Sequence, residues 1–186
     1  AETKAEAERD VLSARNSNGD RFGVVLRLAA VYGSRMKGNY VRLARAVERR
    51  RFLFVGAGDN RRTTVHQSDA ALAAILAAER AAGGSIYNVT DGSIHTLKDI
   101  VAAISTAVGK PTPRLTLPVT PVKLGIAAAE GLARALGLTP PVGKALLEKF
   151  LEDIAVDGSK IQNELGFEPR FDLARGWRES LGRRPF

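Results

Sequence analysis

Apolar residues recur along the chain at two spacings that alternate through its first half. Ala7, Val11 and Ala14 fall at helical intervals, and the pattern stops at Asn16-Ser17-Asn18-Gly19, which predicts a helix running into a loop. Val24, Val25, Leu26 and Leu28 then form a short continuous apolar run, the pattern of a strand covered on both faces in a parallel sheet. Tyr40, Leu43, Ala44 and Val47 make the one-sided stripe of a second helix. The segment from Phe52 to Val55 reads as a strand closed by the turn Gly56-Ala57-Gly58-Asp59-Asn60, and β-branched Thr63, Thr64 and Val65 supply another.

Further on, Ser68 has the chemistry of an N-cap for an Ala-rich helix over 70–82, ended by Gly83-Gly84 ahead of a strand at 86–89. Thr96 with Asp99 forms the capping-box pattern, and Ile100, Val101, Ile104 and Val108 give the apolar face of a helix ended by Gly109 and Pro111. Val122, Ile126, Ala129, Ala133 and Leu136 predict a long helix stopped by Gly137. After Pro140-Pro141 come three shorter helices, at 144–151, 159–165 and 173–181, the last closing the core through Leu173 and Trp177. Strands alternate with helices and then helices dominate, which predicts α/β layering with a helical cap. The absence of an internal repeat or linker predicts one domain over 1–186.

Composition narrows the function classes. A chain of 186 residues, 45% hydrophobic, can bury roughly two thirds of its unfolded surface and needs no covalent or metal staple. It has no cysteine, which excludes a disulfide framework, a thiolate zinc site and a cysteine nucleophile, and its two histidines make no metal centre. Lys123, Glu130 and Arg134 break the most apolar stretch below the roughly 18 residues of a membrane span. The charged first residues do not have a signal peptide's pattern, so a cytoplasmic protein is expected. The net charge of +8 invites nucleic acid, yet Arg49, Arg50 and Arg51 end a predicted helix, acidic residues are interspersed, and no aromatic platform lies among the basic ones. A solvated surface with one anionic small-molecule site is the expectation.

Few residues carry chemistry on their own. Arg62 follows the glycine-rich turn and opens a strand, where a planar guanidinium suits a phosphate or carboxylate; from the residues alone it reads first as an exposed loop arginine. Gly56 and Gly58 read first as turn formers. Lys4 alone is a surface lysine, His66 a satisfied half-buried histidine and His95 a structural residue before a helix cap; no catalytic triad accompanies them. Asn88 stands at a strand end, where α/β folds place ligands and where turn residues also occur.

Longer segments carry more. Residues 3–8 (Thr-Lys-Ala-Glu-Ala-Glu), 26–33 (Leu-Arg-Leu-Ala-Ala-Val-Tyr-Gly) and 55–69 (from Val-Gly-Ala-Gly-Asp-Asn-Arg-Arg to Gln-Ser-Asp) resemble the extended short-chain dehydrogenase/reductases. Residues 86–92 (Ile-Tyr-Asn-Val-Thr-Asp-Gly) and 156–169 (from Val-Asp-Gly-Ser-Lys to Gly-Phe-Glu-Pro) continue the pattern in family order. The chain is similar to the C-terminal, substrate-binding part of NAD-dependent nucleotide-sugar epimerases and dehydratases. The resemblance implies a Rossmann-like core ending at about residue 35 and a mostly helical substrate part from about 36 to 186.

It also implies roles. In the family a Tyr-x-x-x-Lys pair shares one helix face; Lys4 matches the lysine, and the tyrosine would fall immediately before Ala1. A tyrosinate takes the sugar hydroxyl proton as hydride passes to NAD, and the lysine lowers the tyrosine pKa and binds the nicotinamide ribose. Leu28 and Ala29 match the strand end beside the nicotinamide, Arg62 the diphosphate clamp, Asn88 a nucleotide contact, and Asn39 with Tyr40 the base-contacting stretch. The expected activity is UDP-sugar 4-epimerisation for polysaccharide assembly, with a nucleotide-diphosphate sugar as partner, a homodimer as one assembly state, and neither nucleic acid nor metal. The glycine-rich cofactor turn is not in these residues, so the chain alone is expected to be inert and not to hold NAD stably.

Departures keep two alternatives open. Ala30 stands where several such enzymes have a diphosphate-contacting asparagine, and Glu152-Asp153 occupy a segment that often holds a second basic ligand; Lys149 lies one turn earlier. These point to a related NAD(P)-dependent reductase of a non-nucleotide carbonyl. A non-catalytic scaffold or regulatory module of the same fold is the other alternative.

Overall fold

The computed structural model describes residues 2–136, 148 and 151–182. They form two compact units threaded by one chain: residues 1–36, 63–94 and 156–185 contribute to the first, and 37–62 and 95–155 to the second. The chain leaves the first unit after Met36 and returns to it twice.

The first unit holds α1 (Glu2–Ser13), β1 (Val25–Leu28), β2 (Ala30–Tyr32) and, on the chain's return, β3 (Thr64–His66), α2 (Gln67–Arg80) and β4 (Ile86–Val89). The third segment adds α3 (Ser159–Leu165) and α4 (Leu173–Gly182). β1 runs parallel to β4 with Val25 opposite Ile86 and Leu28 opposite Val89. The chain then changes partner at Ala29, and β2 runs parallel to β3 with Ala30 opposite Thr64 and Tyr32 opposite His66. Strands and helices alternate around parallel pairs, the expected α/β class. Beneath them Val65, Leu76, Tyr87, Val89, Ile161 and Phe167 form a buried core. Trp177 of α4 is fully buried and stacks on Tyr32 with ring centroids 4.8 Å apart, closing the core as its spacing predicts, while Leu173 is only half-buried.

Two expectations change here. The N-cap of α2 is His66, whose ring accepts the Ser68 N–H at 3.4 Å; helical geometry begins at Gln67, so Ser68 already lies inside the helix. A neutral imidazole nitrogen can do the work of a capping oxygen, which residue-type preference does not favour. His66 is also fully buried, against Phe171 at 4.0 Å between ring centroids, with its other nitrogen 3.1 Å from the Glu179 carboxylate.

The second unit holds α5 (Asn39–Glu48), β5 (Phe54–Val55), β6 (Arg61–Arg62), β7 (His95–Thr96), α6 (Leu97–Ala107), β8 (Thr116–Leu117) and α7 (Val119–Ala135). Buried Leu43, Ala44 and Val47 form the apolar stripe of α5, which packs on α6 with its buried Ile100, Val101 and Ile104. β5 pairs parallel with β8, and β6 antiparallel with β7. The predicted long helix is α7, starting at Val119 directly after Pro118. The Gly137 stop lies outside the described residues, as does the 144–151 helix apart from Glu148 and Leu151, which are helical. β2, β6, β7 and β8, of two or three residues each, are too short to show a period in sequence. Among the described residues no helix is long and apolar enough to cross a membrane.

Candidate functional site

In the first unit the arrangement starts from α1 and β1. A side chain at Gly23 would collide with the carbonyl oxygen of Val11, so the end of α1 rests on the chain just before β1. One helical turn earlier, Glu8 takes the Arg27 guanidinium, with Nε 3.0 Å from Oε1. That hydrogen bond, with the charge behind it, holds the Glu8 carboxyl below its usual range. Contacts pairing 11 with 23 and 8 with 27 make α1 antiparallel to β1. Lys4 lies one turn beyond Glu8 on the same face, about 6 Å along the axis. Two residues beyond Arg27, about 7 Å along the strand, comes Ala29. Lys4 itself is exposed.

The end of β1 is open. Leu28 is 48% exposed, and Ala29 is half-buried with its N–H donating to the Val89 carbonyl at 2.9 Å. The carboxyl end of a parallel strand is where open α/β sheets take ligands. Asn88, opposite Arg27 in the register, is half-buried and donates its amide N–H to the Asp157 carbonyl at 3.0 Å. Its amide thereby ties β4 to the start of α3. Asp157 receives the Ser159 N–H at 2.9 Å and hydroxyl at 2.8 Å, which keeps its carboxyl below the ordinary value. Ala30 is exposed in β2 and offers only main-chain polar groups.

In the second unit the glycine turn acts as a brace. Gly58 has φ 71°, and a Cβ there would press on the Phe54 ring at 2.8 Å. The Gly58 carbonyl accepts the Lys98 N–H and the Asn60 carbonyl accepts the Leu97 N–H, both at 3.1 Å. Thr96 Oγ1 accepts the Asp99 N–H at 3.1 Å, and Asp99 Oδ2 accepts the Thr96 N–H at 2.8 Å, the expected capping box. Those bonds from Thr96 are the main reason the Asp99 carboxyl lies below its usual range. The Leu97, Lys98 and Asp99 N–H groups at the start of α6 are thus engaged within the protein.

Arg62 is half-buried in β6 and opposite His95, itself half-buried in β7. On the other side, the Arg61 N–H donates to Asp153 Oδ1 at 2.6 Å, the Ile154 N–H donates to the Arg61 carbonyl at 2.8 Å, and Arg62 bridges Ile154 in parallel sense. The main chain carrying Arg62 is thus held from both sides. One oxygen of Asp153, expected to repel a diphosphate, serves that main chain instead; Glu152 is exposed. Asn39 and Tyr40 open α5, the first exposed and the second half-buried.

Lys4, Leu28, Ala29 and Asn88 fall in the first unit, and Asn39, Tyr40 and Arg62 in the second. His95, opposite Arg62, reads in sequence only as a structural residue before a helix cap, because the register of a two-residue ribbon is not legible there. Among the described residues no group of three acidic or histidine side chains could hold a metal.

Parallel strands alternating with helices make this a Rossmann-like α/β fold. Residues 1–90 match the model of the NAD dependent epimerase/dehydratase family. The chain is 28% identical over 177 residues to the 4-hydroxy-2-methyl-3-oxo-4-farnesyl-3,4-dihydroquinoline-1-oxide ketoreductase of Stigmatella aurantiaca, covering 94% of this chain and 52% of that protein. It is 24% identical over 163 residues to the N-acetyl-alpha-D-glucosaminyl-diphospho-ditrans,octacis-undecaprenol 4-epimerase of Escherichia coli O157:H7, covering 87% and 49%. The fold is shared with the UDP-glucose 4-epimerase of Thermotoga maritima solved with UDP-glucose, at TM-score 0.60 and 21% identity, over 86% of this chain and 44% of that one. The chain spans about half the length of the curated relatives it matches.

Proposed function

We propose that this chain is the substrate side of an NAD-dependent nucleotide-sugar epimerase or dehydratase, and that the reaction is 4-epimerisation of a UDP-sugar in the cytoplasm. The observation that carries the reading is Arg62, a guanidinium on a two-residue strand whose main chain is fixed by β7 on one side and by Asp153-Ile154 on the other. A guanidinium carried on a fixed main chain suits a diphosphate, because the backbone loses no further freedom on binding. The sugar-diphosphate and UDP-glucose named for two of the similar proteins favour the same chemistry.

The strand end fits a nicotinamide: Leu28 offers exposed apolar surface. Bound NAD supplies the hydride acceptor and later returns the hydride. Lys4 holds its charge near a tyrosine base four residues upstream, favouring the tyrosinate, and hydrogen-bonds the ribose. Arg62 holds the diphosphate, and Asn39 with Tyr40 contacts the base.

A second reading, reduction of a non-nucleotide carbonyl, is favoured by the ketoreductase relative and by apolar Ala30. Assay of the full-length protein with NAD and UDP-glucose separates the two. The expected result is interconversion with UDP-galactose, with Lys4→Ala lowering kcat about 100-fold or more and Arg62→Ala acting on KM by roughly 10-fold to 100-fold. Absence of epimerisation, with NAD(P)H-dependent reduction of a β-keto ester unaffected by UDP, would establish the reductase instead.

A further inference from the structure

We infer that the outward face of α7 is a docking surface for the headgroup interface of an anionic lipid bilayer. The ground is an inversion of the usual helix polarity. At about 100° per residue, Val119, Val122, Ile126 and Ala133 fall within about 60° of one another, and all four are half-buried. The face opposite to them would be polar in a helix lying against water. Here it carries Leu124, Ala128, Leu132 and Leu136 at every fourth position, with Gly125, Gly131 and Ala135 between them, and no charged residue. All seven are exposed, the leucines by 67%, 63% and 63%. The three charged residues of α7, Lys123, Glu130 and Arg134, lie instead within about 40° of one another along one border of the packed side.

Size argues against a second copy as the partner. A helix of 17 residues is about 26 Å long and about 10 Å across, so its outward face offers on the order of 300 Å², where a stable interface takes about 800 Å² from each partner. A bilayer sets no such minimum, because each apolar side chain that enters it leaves water on its own account. Charge selects the kind of bilayer. Residues 109–136 hold Lys110, Arg114, Lys123 and Arg134 against the one acidic residue Glu130, in a chain of net charge +8. The stems of Lys123 and Arg134 can lie along the hydrocarbon while their cations reach the lipid phosphates. The helix lies in the plane of the interface, since among the described residues no helix is long and apolar enough to cross a membrane.

The test is co-sedimentation of the full-length protein with vesicles of phosphatidylcholine alone and of phosphatidylcholine containing about one third phosphatidylglycerol. Variants are Leu124→Gln/Leu132→Gln/Leu136→Gln, Ala128→Asp and Lys123→Gln/Arg134→Gln, each checked by thermal unfolding. The apolar positions changed are all exposed, so the fold loses no packing through them. The expected result is binding to the anionic vesicles about tenfold or more tighter than to the neutral ones, reduced about tenfold or more both in the leucine triple and in Ala128→Asp, which sets a carboxylate in the middle of the apolar face. Lys123→Gln/Arg134→Gln should weaken binding by about fivefold or more on anionic vesicles and leave binding to neutral ones unchanged. Anionic-vesicle binding undiminished in the leucine triple and in Ala128→Asp would be adsorption by net charge elsewhere, and overturns the proposal. Absence of binding by the parent overturns it as well; an oligomer seen by light scattering in the parent and lost in the leucine triple would then make a second copy the partner. Should the leucine triple unfold, Ala128→Asp decides.

Discussion

Gly176 shows how narrowly single positions are specified. A Cβ there would run into the hydroxyl end of Tyr32. Tyr32 is fully buried, stacked on Trp177 and edge-on to His66 at 5.5 Å between ring centroids, so it cannot swing aside. Gly176→Ala is expected to cost about 1–3 kcal/mol by overpacking, read as a lower urea midpoint at unchanged slope. Gly125, inside α7, has nothing within 4 Å of the equivalent atom. Replacing it by Ala should instead stabilise by roughly 0.5–1 kcal/mol, since only the helix-propensity difference is left. Equal effects of the two changes would show that the packing around Tyr32 is not as described.

At the scale of elements, α6 is held by its own first turn. Thr96→Ala removes the acceptor for the Asp99 N–H and is expected to cost about 1 kcal/mol. The linked pH dependence has a definite sign. The Asp99 carboxyl is lowered by the bonds from Thr96, with smaller contributions from the charges of His95 and Lys98. A lowered carboxyl stabilises the fold above its unfolded value near 3.8, and that contribution disappears as pH falls through the lower folded value. Asp99→Asn should therefore flatten the acid limb of stability against pH below the unfolded value of 3.8, leaving its neutral limb parallel to that of the parent. An unchanged acid limb would exclude the capping box as a source of acid sensitivity. This helix was legible in sequence because both of its signals are side chains at fixed spacing. The start of α2 was misread because the cap is an imidazole two residues ahead of a serine with better credentials. β6 and β7 gave no pattern, since two-residue strands are defined by partners 33 and more residues away.

Across the whole molecule, the α/β class and the order of elements were legible, whereas the gathering of three separate segments into the first unit was not. The resemblance in residues 3–8, 26–33 and 86–92 named Lys4, Leu28, Ala29 and Asn88, but the packing of α1 on β1 through Glu8–Arg27 and Val11–Gly23 was not legible there. Long-range ties of this kind leave no local period. Asp69 is the clearest: fully buried in α2, it accepts the Arg170 N–H at 3.1 Å and the Phe171 N–H at 3.0 Å, about a hundred residues away. Phe171 in turn lies against the His66 ring, and Phe167, a few residues earlier, is in the core, so these two bonds fasten the last segment to the first two. Asp69→Ala leaves two part-buried amides without acceptors and is expected to cost about 2–4 kcal/mol. If the three segments form one cooperative unit, amide exchange should accelerate together at residues 86–89 and 159–165, which do not touch Asp69, as well as at 170–171. Acceleration confined to 170–171 would mean that the last segment is an appendage, and that the sheet end at Leu28-Ala29 stands without it.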